Sequence, residues 1–187
     1  MPAKPTRIFR ETWLATGLDL LKSEGPAALT IDRLCAVLNR SKGSFYFHFG
    51  AVDPYKEALL AYWEEQHTQA VEDYADKEAD AAARRLAVPE VAARLDDGVE
   101  RAIRVWAHTE PAARTLIERV DSRRIDYVAQ LIAEADALPL EAAQDLAAIE
   151  YAAFLGFQHL MPDAAPEARQ DMFLKALHLI SPNLKRD

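Results

Sequence analysis

The first fifty residues are punctuated so closely that only short helices fit between the stops. Glu24-Gly25-Pro26 sets a glycine, favoured just past a helix C-terminus, before a proline that cannot continue the helix. Asn39 belongs to the few non-glycine residues that accept a left-handed backbone, and Phe49-Gly50 makes a further stop. The first helix is predicted from near Thr6 to Glu24, with Phe9, Trp13, Leu14, Gly17, Leu18, Leu20 and Leu21 as its apolar stripe. The second opens at Thr30, whose hydroxyl can cap free N–H groups, with Asp32 in the first turn favoured by the helix dipole. Its inner side is Ile31, Leu34, Cys35 and Leu38; Asn39 turns the chain, and Ser41 caps a third helix that ends near Phe49.

The remainder has the same character. Ala, Leu, Glu, Arg and Gln dominate, and no stretch alternates apolar with polar residues for long. A long helix is predicted over 54–74, with Asp53-Pro54 as cap and first position. Residues 76–85 read as either a helix or a mobile connection. Further helices follow at 89–108, 111–135, 140–160 and 166–180, separated by proline or short polar breaks. The expected fold class is all-α.

Half of the 187 residues are hydrophobic, enough for a sizeable core. The net charge of −8 argues against a nucleic-acid partner until it is divided: residues 1–50 carry +3 and residues 51–187 carry −11. That split predicts a small basic domain over 1–50 carried by an acidic helical body over 51–187. No apolar run approaches the roughly 18 residues of a membrane span, and the N-terminus lacks the apolar block of a signal peptide, so a cytoplasmic protein is expected. Cys35, the single cysteine, is expected to be a small buried residue. No disulfide, metal or cofactor is expected.

Two helices of about eight residues joined by a tight turn, with a supporting helix before them, form a helix-turn-helix pattern whose second helix enters the DNA major groove. Phe45 and Phe49 are four apart and are assigned to the core beside Leu34 and Leu38. Gly43, Tyr46 and Phe47 then point away, flanked by Lys42 and Ser44, and the free N–H groups of the first turn favour an anion. Gly43 gives clearance for a phosphate or base edge. Phe47 either touches a thymine methyl or packs on the neighbouring helix, and His48 either contacts phosphate or packs at the helix end. Arg40 either fits the turn or snorkels outward to a phosphate.

Thr30-Ile31, Leu34-Cys35 and Ser41-Lys42-Gly43-Ser44-Phe45-Tyr46-Phe47-His48-Phe49 resemble the N-terminal domain of the TetR family of transcriptional regulators. The family pattern has a threonine opening the second helix, an Ala-Gly-Val-Ser turn, then Lys-Gly-Thr/Ser-Leu/Phe-Tyr-x-His-Phe; the likeness covers residues 6 to about 62. It implies an all-helical homodimer with a DNA-binding domain and a larger ligand-binding and dimerisation domain. It also implies that Thr30, Ser41, Lys42, Gly43, Ser44, Tyr46 and His48 occupy DNA-contact positions. Here Leu38-Asn39-Arg40 replaces Ala-Gly-Val, and Ala51-Val52-Asp53-Pro54-Tyr55-Lys56 replaces the usual Ser-Lys-Glu, leaving Lys56 as the substitute phosphate contact.

In the body, Trp63, His67, Trp106, His108, Tyr151, Phe154 and Phe157 are candidates for lining a ligand cavity, with plain core as the competing reading of each. The clusters around His67 and His108 show no nucleophile, third ligand or catalytic motif, so no enzyme is expected. The small residues of 140–160, paired with Phe173, Leu174, Leu177 and Ile180, resemble the family's dimer interface; an intramolecular core is the alternative. The expected function is a repressor released from a palindromic double-stranded operator by a small-molecule inducer. The competing expectation is a helical small-molecule binder or enzyme whose N-terminal helices only dock a protein.

Overall fold

The structure, a computed structural model, describes residues 9–181, and among these the regular elements are all helical. The helices are α1 (Arg10–Glu24), α2 (Ile31–Leu38), α3 (Lys42–Phe49), α4 (Val52–Glu64), α5 (Ala70–Ala75), α6 (Ala81–Ala92), α7 (Asp97–Ala107), α8 (Pro111–Asp136), α9 (Leu140–Leu160) and α10 (Pro166–Ile180). A single 3-10 turn, Pro26–Ala28, follows α1, and a π-turn, Glu65–Gln69, stands between α4 and α5. The expected helix start at Thr6 lies outside the described residues. No helix among them is long and apolar enough to cross a membrane.

The chain divides into two compact units, Met1–Glu64 with Gly98–Leu116, and Glu65–Asp97 with Ile117–Asp187. The boundary drawn at residue 50 therefore falls inside the first unit, which also takes in α4 and most of α7. In the first unit, α1 packs on α2 and α4, and α3 packs on α2 and α4. An aromatic cluster holds the contact: Phe45 meets Trp13 edge-on at 5.6 Å, Phe49 at 5.3 Å and Tyr55 at 5.3 Å between ring centroids. Tyr55 donates its hydroxyl to the Trp13 carbonyl at 3.1 Å, and burial pushes its phenol pKa up. Gly17 makes room for this tie, since a Cβ there would lie 1.9 Å from the Tyr55 hydroxyl oxygen.

In the second unit, Ala129 and Ile132 of α8 pack on Ala143 and Ala147 of α9. Phe173 and Leu177 of α10 pack on Leu86 of α6 and on Ala153, Phe154 and Phe157 of α9. Pro89 lies inside α6 and does not head a new helix as its type suggests. Its ring supplies no N–H to the carbonyl four residues back, but Ala81, Arg85 and Pro89, spaced by four, form a buried stripe, and the helix continues past it. The break falls later, at 93–96.

Arg85 is a fully buried charge in this unit. Its guanidinium reaches Asp136 Oδ2 at 3.1 Å, Ser181 Oγ at 2.7 Å and the Glu150 carboxylate, while the Ser181 hydroxyl also meets Glu150 at 3.2 Å. Burial raises the Glu150 carboxyl pKa above its usual value, against the lowering effect of Arg85.

Candidate nucleic-acid interface

The two short helices of the N-terminal unit are capped by the residues expected to cap them. Thr30 Oγ1 accepts from Arg33 N at 3.2 Å, and Ser41 Oγ accepts from Ser44 N at 3.3 Å. Between them Asn39 is left-handed (φ 50°, ψ 55°), and Arg40 N donates to Cys35 O at 2.9 Å. Each cap hydroxyl accepts within its own turn and keeps its proton for an outside acceptor.

α3 sorts its aromatics by face. Phe45 and Phe49 are buried, whereas Phe47 is 78% exposed and Tyr46 49% exposed. Phe47 touches its neighbour His48 edge-on at 5.2 Å; the half-buried His48 leans toward Trp13 at 6.4 Å. Lys42 and Gly43 are exposed beside Tyr46 and Phe47, and a Cβ on Gly43 would meet only Ser41 Oγ at 3.7 Å. The bareness of Gly43 is therefore not required by its own chain. Ser44 is half-buried and Thr30 and Ser41 are exposed.

Three cations of this unit have carboxylate partners, and two of them, Lys42 and Lys56, are expected DNA contacts. Arg33 binds both oxygens of Glu24 at 3.0 and 2.5 Å. Lys42 Nζ lies 2.7 Å from Asp32 Oδ1, a contact that raises its pKa. Lys56, expected as the substitute phosphate contact, bonds Glu110 at 2.6 Å in a half-buried site. Arg40 is half-buried and turns back to donate to the Asn39 carbonyl at 3.0 Å, the geometry of a residue that fits the turn. Arg10 stands over the Phe49 ring at 5.2 Å. Cys35 is buried, and burial together with Asp32 raises its thiol pKa. Asp32 is the residue sequence reasoning passed over, having been assigned only to the helix dipole.

The seven body candidates divide between the two units. Trp63 and Trp106 are buried in the first unit, and His108 is exposed at the end of α7, where its carbonyl accepts from Arg114 at 3.1 Å. In the second unit His67 and Tyr151 meet at Arg124, which donates to the His67 carbonyl at 3.1 Å, to Thr68 Oγ1 at 3.0 Å and to the Tyr151 hydroxyl at 3.0 Å. Tyr151 in turn donates to Asp121 at 2.6 Å. Phe154 stands elsewhere in that unit, beside a cavity of about 20 Å³ shared with Phe157, Phe173 and Gln158, room for one water.

Neither the protein-family models nor the curated proteins include a match to this chain. Solved structures do match over nearly the whole length. A TetR transcriptional regulator from Legionella pneumophila is 16% identical, with a TM-score of 0.73, over 97% of this chain and 100% of that one. A protein from Saccharomonospora viridis, assigned as a transcriptional regulator and solved in complex with choline, is 16% identical, with a TM-score of 0.76, over 95% and 98%. A Rhodococcus structure assigned to the same family is 20% identical, with a TM-score of 0.68, over 91% and 97%. At these identities the likeness establishes architecture, and the chain has the all-α fold of the TetR-family transcriptional regulators.

Proposed function

We propose that this chain is a DNA-binding transcriptional regulator, a repressor that a small-molecule inducer releases from a palindromic operator. The observation that carries the reading is α3: a capped eight-residue helix, anchored by Phe45 and Phe49, that turns Lys42, Gly43, Tyr46 and Phe47 outward. Tyr46 and Phe47 offer the apolar surface that fits a thymine methyl, while Thr30, Ser41, Ser44 and His48 are assigned to the backbone phosphates in this reading. Arg40 and Lys56 are secondary, because each already serves a contact within the protein.

The test is binding of the full chain to duplexes from its own upstream region, or recovered by genomic selection, at several salt concentrations. Affinity should fall steeply with salt, and Lys42→Ala should flatten the logarithmic slope by about one. No operator, or an affinity indifferent to salt, would support the protein-docking alternative.

A palindrome requires two copies, with recognition helices about 34 to 36 Å apart. The surface that supports a homodimer lies on α9 and α10, where Ile149, Leu160, Met172 and Leu179 are exposed apolar residues. Gly156 lies on the same stripe of α9, and a Cβ there would meet nothing within 4 Å of its own chain. Leu160→Glu with Leu179→Glu should give a folded monomer in sedimentation at micromolar concentration; a wild-type monomer, or an undisturbed dimer, would count against this interface.

For the inducer, the Saccharomonospora relative's choline complex supports a small-molecule role for the body. The site we favour lies by Tyr151 and His67, where Arg124 holds the π-turn. Turns of this type are frequent at functional sites, and this one is continuous with α4. A ligand competing for Arg124 would act there, and a coupling of about 1–3 kcal/mol would change operator affinity roughly 5- to 150-fold. Trp63, Trp106, Phe154 and His108 have weaker claims, the first two as packed core and the last as a surface residue.

A further inference from the structure

A carboxylate stands inside the surface proposed to meet DNA. Asp32, in the first turn of α2, has a 77% exposed side chain and pairs with Lys42, itself 59% exposed, at 2.7 Å. Thr30 lies two residues before Asp32, and Ser41 immediately before Lys42. The pair thus links the first turn of α2, the helix that crosses the DNA backbone, to the first residue of α3, whose N-terminal residues a helix-turn-helix presents to base edges. Exposed pairs of this kind add little to folding, and an acid facing DNA is repelled by phosphate, so the placement calls for a partner on the DNA.

The major groove offers a carboxylate few welcoming groups. Guanine shows two acceptors, thymine an acceptor and a methyl, and adenine a donor beside the N7 acceptor; cytosine shows the N4 amino donor alone. We propose that Asp32 is a specificity residue that accepts a hydrogen bond from the N4 amino group of a cytosine at the start of α3. Lys42 positions it. The ammonium carries three N–H donors, of which one holds Asp32, and the others serve a phosphate. Each half-site would then carry a G·C pair at this position, repeated by the operator's symmetry. The inference rests on the DNA-binding reading above.

The experiment is in vitro selection from randomised duplexes with the full-length wild type, Asp32→Ala and Asp32→Asn, followed by competition binding with the selected cytosine changed to thymine. Thermal unfolding of each variant confirms folding; Thr30, the cap of α2, is untouched. Wild type should lose affinity roughly tenfold on the cytosine-to-thymine change. Asp32→Ala should bind both duplexes alike, and Asp32→Asn should move the preference toward adenine, which pairs with an amide. If Asp32→Ala keeps the wild-type discrimination, or tightens on operator and random DNA by one common factor, Asp32 only neutralises Lys42 and the proposal is overturned. Failure of the wild type to select any sequence overturns the DNA-binding reading itself, an outcome distinguishable because it needs no variant.

Discussion

Gly43→Leu is expected to lower operator affinity on the order of a thousandfold, to the level of non-specific binding, while the thermal midpoint stays within a few degrees of wild type. Folding and DNA contact make separate demands at this position. Within the protein a side chain at this position enters open space, with Ser41 Oγ at 3.7 Å as its one near neighbour. Leucine is also a better helix former than glycine by nearly 1 kcal/mol, so folding has nothing to resist. Outside the protein, four extra carbons on the exposed face of α3 occupy the gap that backbone and base edge would share. Fluorescence anisotropy on the selected operator, paired with thermal unfolding, separates the two demands. A variant that unfolds would make Gly43 a structural residue, and one that binds normally would move the DNA contact off α3.

The second large effect is on stability. Arg85→Met should destabilise the protein by about 3–5 kcal/mol, because it leaves the buried Glu150 carboxylate without its partner. For a chain of this size the midpoint falls by on the order of 10 °C. The loss should depend on pH in a defined sense. Burial already raises the Glu150 pKa in the folded state, and removing Arg85 removes a cause that lowers it. A carboxyl whose folded pKa lies above its unfolded value binds more protons when folded, so stability declines as pH rises from the ordinary carboxylate range through the raised value. The deficit of Arg85→Met should therefore be smaller near about pH 5 than near about pH 8. Arg85→Met with Glu150→Leu should recover most of the loss, since an apolar pair can replace a buried ion pair at little cost. A single variant within about 1 kcal/mol of wild type at both pH values would show that Glu150 finds other solvation.

The parts of this structure that were legible from sequence are those specified locally. Thr30 and Ser41 as caps, Asn39 as the left-handed turn and Phe45 against Phe47 as inward and outward faces each depend on a residue and its neighbours within one turn. The helices over 140–160 and 166–180 were also read to the residue, because Pro139 and Pro166 mark their starts. What failed was decided at long range. Pro89 reads as a helix start, yet tertiary burial of its face carries α6 through it. The fourth helix runs on as read, but its local widening into a π-turn was not legible, because Arg124, which binds there, is more than fifty residues away. Lys56, read from sequence as a substitute phosphate contact, also pairs with Glu110, an equally remote residue that no local pattern indicates. Asp32 escaped notice for a different reason: its pairing with Lys42 spans the turn between two helices, where periodicity within either one gives no signal.

The paired cations of the first unit also bear on search time. A regulator must leave random sites before it finds its own, and the dwell on random DNA is set almost wholly by phosphate electrostatics. With Arg33 held by Glu24 and Lys56 by Glu110, a DNA-binding head of this design would grip an arbitrary sequence weakly. Fewer molecules are then sequestered along the chromosome, and a small cellular pool suffices to keep one operator occupied.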